Sequence, residues 1–233
     1  MKILIVSATE KENNLILQKA TSIRKIGQWL TSAIIGKLEI HFLVSGVGLP
    51  TTIYRITSLL SSQKYNLVIN CGIAGSFDEQ LKIGTVVNVA SEKFGDLGIN
   101  NNGTFQTLFD SHFADGNSFP FFDGKLINPH KPNVFNAIAV LPLVNGITVN
   151  SESGERAEIQ FRKELFSAQI ETSEGAGFFY VCLLQDIPFY EIRSISHFIE
   201  PRNMKNWNIP LALVNLGAIM FQTLTELNAT NEK

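Results

Sequence analysis

The chain has 233 residues, 19 Lys+Arg against 21 Asp+Glu, a formal charge of −2, and 45% hydrophobic side chains. The near balance of charge excludes a protein that holds nucleic acid through a basic surface. The apolar share excludes an intrinsically disordered chain, and a domain of this length buries roughly 70–75% of its unfolded surface, so it needs no disulfide or metal to hold it.

The first apolar run, residues 2–7, ends too soon for a signal peptide, because Glu10, Lys11 and Glu12 follow at once. No uninterrupted apolar stretch reaches the roughly 18–20 residues of a membrane span. The expectation is a cytoplasmic protein with no membrane partner. Residues 2–7, 38–45, 66–71 and 85–90 are rich in Ile, Val and Leu. Such runs, apolar on both faces, suit buried strands of a parallel or mixed sheet. Residues 11–20 and 49–62 lie between them and carry apolar side chains at helical spacing, as in Ile53, Ile56, Leu59 and Leu60. Strands alternating with helices predict an α/β fold: a single three-layer domain over residues 1–233, its central mixed twisted sheet flanked by helices.

Residues 94–133 break the alternation. Asn, Gly, Asp and Pro dominate there, interleaved with seven phenylalanines. A segment this long reads as an excursion from the core, either an ordered lid or interface, or a satellite apolar cluster. Alternation then resumes. Residues 137–141 and 146–149 read as strands, 155–166 as an amphipathic helix, 168–172 as a strand, 175–184 as a helix apolar almost all round, and 189–196 as a strand. A last helix starts near Asn208, with Pro210 in its first turn, where proline is tolerated. The two cysteines, Cys71 and Cys182, sit far apart in apolar surroundings and read as buried free thiols. No Cys/His cluster suggests a metal, and no nucleotide-loop fingerprint suggests a cofactor. Gly46-Val47-Gly48 lacks the third glycine of a dinucleotide site.

Four segments carry candidate chemistry. In open α/β sheets ligands bind outside the carboxyl ends of the strands. The first segment, Ser7 to Glu12, joins a strand to a helix, and its acids either face a pocket or merely favour the helix dipole. The second, Asn70-Cys71-Gly72-Ile73-Ala74-Gly75-Ser76, is either a tight turn or a place where backbone approaches a ligand. The third, Glu171-Thr172-Ser173-Glu174-Gly175-Ala176-Gly177, puts Glu174 between a buried strand and a buried helix, where a solvated face is hard to picture. Its small residues suit the close passage of a ligand or of another helix. The fourth, Ile192 to Asn203, sets His197 just beyond a strand end, as a structural or a catalytic histidine.

Together, in this order and over nearly the whole chain, these segments resemble the nucleoside phosphorylase and methylthioadenosine/S-adenosylhomocysteine nucleosidase superfamily. Residues 70–76 are similar to its N-x-G-x-A-G turn, residues 171–177 to its E-M-E-G/A-x-A segment with Ser173 in place of methionine, and residues 192–197 to its R-A-I-S-D stretch with His197 in place of aspartate. Phe94-Gly95-Asp96-Leu97-Gly98, residues 149–154, and Glu200-Pro201-Arg202-Asn203 followed by Trp207-Asn208-Ile209-Pro210 resemble the futalosine hydrolase branch most.

The resemblance implies hydrolysis of the N-glycosidic bond of futalosine to hypoxanthine and dehypoxanthine futalosine, in menaquinone biosynthesis. The alternatives are a methylthioadenosine/S-adenosylhomocysteine nucleosidase or a purine nucleoside phosphorylase. It implies Glu12 as the base that activates water, Glu174 as the acid that holds the ribose hydroxyls, and His197 at the purine. By the same resemblance Ile73, Ala74, Gly75 and Ser173 are expected to line that pocket. Arg202 is a candidate for the substrate's carboxylated arm, with Arg156 and Arg162 competing. It implies a homo-oligomer and no cofactor. An acidic first-strand loop without arginine repels phosphate and favours water as nucleophile.

Overall fold

Strand β1 (Lys2–Ser7) is apolar on both faces because it lies inside a sheet covered on both faces. Leu4 and Val6 enter one core, and Ile3 and Ile5 enter the other. The computed structural model describes residues 1–101, 104–130, 135–201 and 203–230. After β1 come α1 (Glu10–Leu17), the antiparallel edge pair β2 (Ser22–Lys25) and β3 (Leu30–Ile35), then β4 (Leu38–Val44), α2 (Leu49–Ser62) and β5 (Leu67–Ser76). The apolar runs do not disclose β2, whose four residues are all exposed at the sheet edge.

Strand β6 (Val86–Phe94) leads into the Phe-rich excursion. The excursion folds as a hairpin of β7 (Gly98–Asn101) and β8 (Thr104–Thr107), then returns through β9 (Leu126–Ile127), which pairs with β6. Its phenylalanines pack back on the body of the protein: Phe94 and Phe121 lean on Tyr180 against a main core, and Phe109 meets Phe121 edge-on at 5.1 Å. Phe113, Phe119 and Phe122 stay exposed.

Residues 137–141, expected as a strand, lie largely in the short helix α3 (Asn136–Ala139). A five-residue apolar run does not separate helix from strand by periodicity, and Ala137 and Ala139 favour the helix. The chain continues through β10 (Leu143–Thr148), α4 (Arg156–Phe166), β11 (Ile170–Thr172), α5 (Gly175–Leu184), β12 (Phe189–Phe198) and α6 (Ile209–Thr230). By length and composition α6 could cross a membrane, a property that a search for unbroken apolar runs passes over. In the fold one face of it packs on the core, burying Ala212, Leu216, Met220 and Leu224, while Leu211, Val214 and Phe221 on the other face stay exposed.

The strand order is β11-β10-β6-β12-β5-β1-β4-β3-β2. Helices α2 and α5 supply one core, and α1, α3 and α6 the other. The result is a three-layer α/β architecture with a mixed central sheet. Five strands close on themselves, because β11 pairs with β10 in parallel and with β5 antiparallel, Glu171 opposite Gly75. This closure brings the end of β11 beside the ends of β5 and β12.

Candidate active site

The carboxyl ends of β1, β4, β5, β11 and β12 surround one cavity of about 280 Å³. Glu12, Ile73, Ala74, Gly75, Ser173, Glu174 and His197 all line it. Arg202 lies outside the described residues.

Glu12 is placed by the start of α1. Thr9 caps that helix, and Glu12 Oε2 accepts from the Thr9 N–H at 2.7 Å and from its hydroxyl at 3.2 Å. This is the reach-back of a capping acid, yet the residue is only 7% exposed. Glu12 therefore both caps a helix and faces the cavity. Burial raises its pKa above the usual carboxylate value, and the Thr9 hydrogen bond and the Arg193 charge oppose the rise.

Glu174 follows β11 as the N-cap of α5. Its Oε1 accepts from the Gly48 N–H at 3.1 Å. Gly48 reaches it with φ +94°, a conformation that glycine adopts freely. Burial raises the Glu174 pKa, with Arg193 and the Gly48 N–H opposing. The small residues that follow make room for protein and not for ligand. A Cβ on Gly177 would press on Leu49 and Ile53 of α2, and one on Gly175 would collide with Glu92 and Glu191.

His197 is aimed by an irregularity in the sheet. Residues 70–76, read locally as a possible turn, are strand β5 to its end, paired in parallel with β12. The register runs Ile195 opposite Ala74, then His197 opposite Gly75. Ser196 is thus an extra residue, a bulge of the kind that redirects a side chain. His197 lies within β12 and not beyond its end, and its ring sits where Gly75 has no Cβ. Ser196 Oγ contacts Ala74 O at 3.2 Å and His197 Nδ1 at 2.9 Å. The other side of the ring stacks on Trp207, itself a wall of the cavity.

Three features escape sequence reasoning. Trp207 acquires its role only through the fold. Glu152 and Glu171 add carboxylates to the wall. Arg193, fully buried, lies beneath the cavity with Nη1 3.7 Å from Glu174 Oε2 and Nε 2.7 Å from Glu191 Oε1. A charged side chain in the apolar stretch Ile192 to Ile195 was the available signal.

Two expectations change. Arg162 does not await a ligand: its guanidinium is buried and held by Glu158 at 2.8 Å, Glu171 at 3.2 Å and the Ser153 hydroxyl at 2.8 Å. Nor is the Phe-rich excursion a lid over this cavity in its own chain, since none of its described residues from 98 to 130 lines the wall. Arg156 is exposed at the start of α4, away from that wall.

The arrangement pairs two buried carboxylates with an imidazole across a cavity, and the lining residues among those described include no arginine. It can take a proton from a nucleophile, hold hydroxyls and stabilise a developing cation.

The model of the phosphorylase superfamily matches residues 2–224 of the chain. A 5′-methylthioadenosine/S-adenosylhomocysteine nucleosidase of Buchnera aphidicola is 25% identical, with 99% of each chain covered. The adenine complex of such a nucleosidase from Colwellia psychrerythraea is 20% identical, with a TM-score of 0.82 over 97% of this chain and 96% of that one. The futalosine hydrolase of Helicobacter pylori is 18% identical, with a TM-score of 0.81 over 97% and 98%.

Proposed function

The chain belongs to the phosphorylase superfamily, and from that premise we propose that it is a nucleosidase that hydrolyses the N-glycosidic bond of futalosine, releasing hypoxanthine and dehypoxanthine futalosine. The observation that carries the reading is the meeting of Glu12, Glu174 and His197 on one cavity.

Cleavage of an N-ribosyl bond passes through an oxocarbenium-like sugar, as in glycoside hydrolysis. Glu12, its pKa raised by burial, is suited to take a proton from water as the water oxygen bonds to C1′. Glu174 binds ribose hydroxyls, and its negative charge stabilises the developing cation. The C1′–N9 electron pair leaves with the purine, which His197 assists by donating a hydrogen bond or a proton at the base. A histidine donor suits the 6-oxo group and N7 of hypoxanthine. Lys11 is the one lysine among the described lining residues, and four carboxylates share that wall. Such a wall disfavours phosphate and favours water.

A second reading has its own observation. Glu152 also lines the cavity, and a carboxylate accepts readily from the 6-amino group of adenine. This favours a methylthioadenosine/S-adenosylhomocysteine nucleosidase, the activity named for the Buchnera relative.

The test is product analysis with futalosine and with methylthioadenosine, each with and without phosphate. Hypoxanthine release from futalosine without phosphate is the expected result. Adenine release alone moves the protein to the second reading, and release only with phosphate makes it a phosphorylase.

A further inference from the structure

Beneath the cavity lies a second set of charges that the reaction above does not use. Glu92 of β6 and Glu191 of β12 are both fully buried. They face each other under the first turn of α5. A Cβ on Gly175 would collide with Glu92 Oε1 and lie 2.8 Å from Glu191 Oε1. Gly146 leaves room for the same Glu92 carboxylate, and Gly72 for the Arg193 guanidinium and Glu12 Oε1. Three glycines on three elements therefore make space for one buried ionic cluster.

The cluster has a direction. Glu191 Oε1 accepts from Arg193 Nε at 2.7 Å, and the far end of the guanidinium is turned toward Glu174 at 3.7 Å. Glu92 Oε2 accepts from the Thr148 hydroxyl at 2.9 Å. The charged and titratable groups around Arg193 and its partner Glu191 are Glu12 from α1, Cys71 from β5, Glu92 from β6, Glu174 at the N-cap of α5, and Cys182 from α5, which faces Glu191. Burial keeps both thiols neutral. Four carboxylates thus surround one guanidinium. Two carboxylates this close cannot both ionise at low cost. A buried carboxylate without its counter-charge is expensive.

We propose that Glu191 and Glu92 form a proton-sharing support for the site, in which Glu191 is a positioning residue that holds Arg193 against Glu12 and Glu174, while one proton retained by Glu92 keeps the pair at a single negative charge. Burial and the neighbouring Glu191 raise the Glu92 pKa well above the usual carboxylate range, in line with that proton. Burial alone would lower the Arg193 pKa, but Glu191 and Glu174 raise it, so the guanidinium stays charged. Arg193 opposes the rise in both Glu12 and Glu174. Its placement therefore tunes both site acids together.

The positioning role rests on the nucleosidase reading; the retained proton does not. The first measurement is infrared difference spectroscopy of the whole protein at pH 7. A carbonyl stretch of a protonated, buried carboxylic acid is expected in the wild type and lost in Glu92→Gln. Its absence from the wild type, or its survival in Glu92→Gln, overturns the proposal whatever the substrate. The second is the pH profile of purine release from the nucleoside the protein turns over. In Glu191→Gln the Arg193 charge is no longer neutralised from below, so it lowers Glu12 and Glu174 further. The acid limb of kcat/KM then moves down by about one pH unit, and kcat falls about tenfold from misplacement. In Glu191→Asp the charge is kept but the reach is shorter, so kcat falls while the acid limb stays. Glu191→Asp also serves if Glu191→Gln does not fold. Wild-type kcat in both variants, or in Glu191→Asp where it alone folds, overturns the positioning role. Failure of the wild type to release any purine defeats the proposed function and leaves the infrared result to decide this one.

Discussion

The imidazole of His197 lies flat on the indole of Trp207, ring centroids 3.8 Å apart and planes 7° from parallel. One face of the histidine is therefore covered, which leaves the opposite face and the ring edge for recognition. The Ser196 hydroxyl already engages Nδ1 at 2.9 Å. The stack and this hydrogen bond together fix the ring plane.

Trp207→Leu removes the stack but keeps an apolar wall. Aromatic pairs are worth about 0.5–1.5 kcal/mol beyond area burial. A rise in KM of about 2- to 12-fold is expected, with discrimination between hypoxanthine and adenine nucleosides reduced. Steady-state kinetics on both nucleosides checks it, and unchanged discrimination would show that the stack does not orient the base edge.

Glu12→Gln keeps the helix cap, because the amide oxygen still accepts from the Thr9 N–H. It removes the base. The expected outcome is a fall in kcat of about 10²- to 10⁴-fold, with the melting temperature close to wild type. A kcat near wild type would remove Glu12 from the proton transfer.

Gly75→Ala inserts a methyl 2.8 Å from His197 Nε2 and 2.8 Å from Ile199 Cγ1. Both neighbours must shift, and a misplacement near 1 Å can cost on the order of 100-fold in rate. The expected result is loss of activity with the ladder between β5 and β12 intact. Circular dichroism beside kcat/KM separates the two effects.

Stability should fall as pH rises. Glu12, Glu92, Glu174 and Glu191 all have pKa values raised by burial. A raised group binds its proton more tightly folded than unfolded. Its contribution is complete below the unfolded value of about 4.3 and is lost as pH climbs through the folded value. The slope is about 1.4 kcal/mol per pH unit for each proton retained. Glu92→Gln removes one such group, so its stability relative to wild type should improve between pH 5 and pH 8. Denaturant unfolding across that range measures it, and a constant difference would mean that Glu92 titrates alike in both states.

Much of the site is readable from local pattern. Glu12 and Glu174 stand at strand-to-helix junctions, and the carboxyl ends of the strands define where a ligand sits. His197 reads as a site residue for the same reason, although it lies within β12 and is turned by the bulge at Ser196. What local pattern misses depends on distant partners. Residues 72–76 look like a turn because glycines weaken a strand in isolation. They are strand because β12, more than 100 residues away, completes their hydrogen bonds.

The sequence by itself determined the alternation of strands and helices, since runs apolar on both faces can be satisfied only inside a covered sheet. It also determined which acids stand at the strand ends. Only the tertiary structure decided that β11 closes against β5, that Trp207 covers His197, and that Arg193 is held between Glu174 and Glu191. The physical reason is that hydrophobic periodicity is a local property of the chain. The burial of a charge is tolerable only through counter-charges and hydrogen bonds brought from elsewhere in the fold.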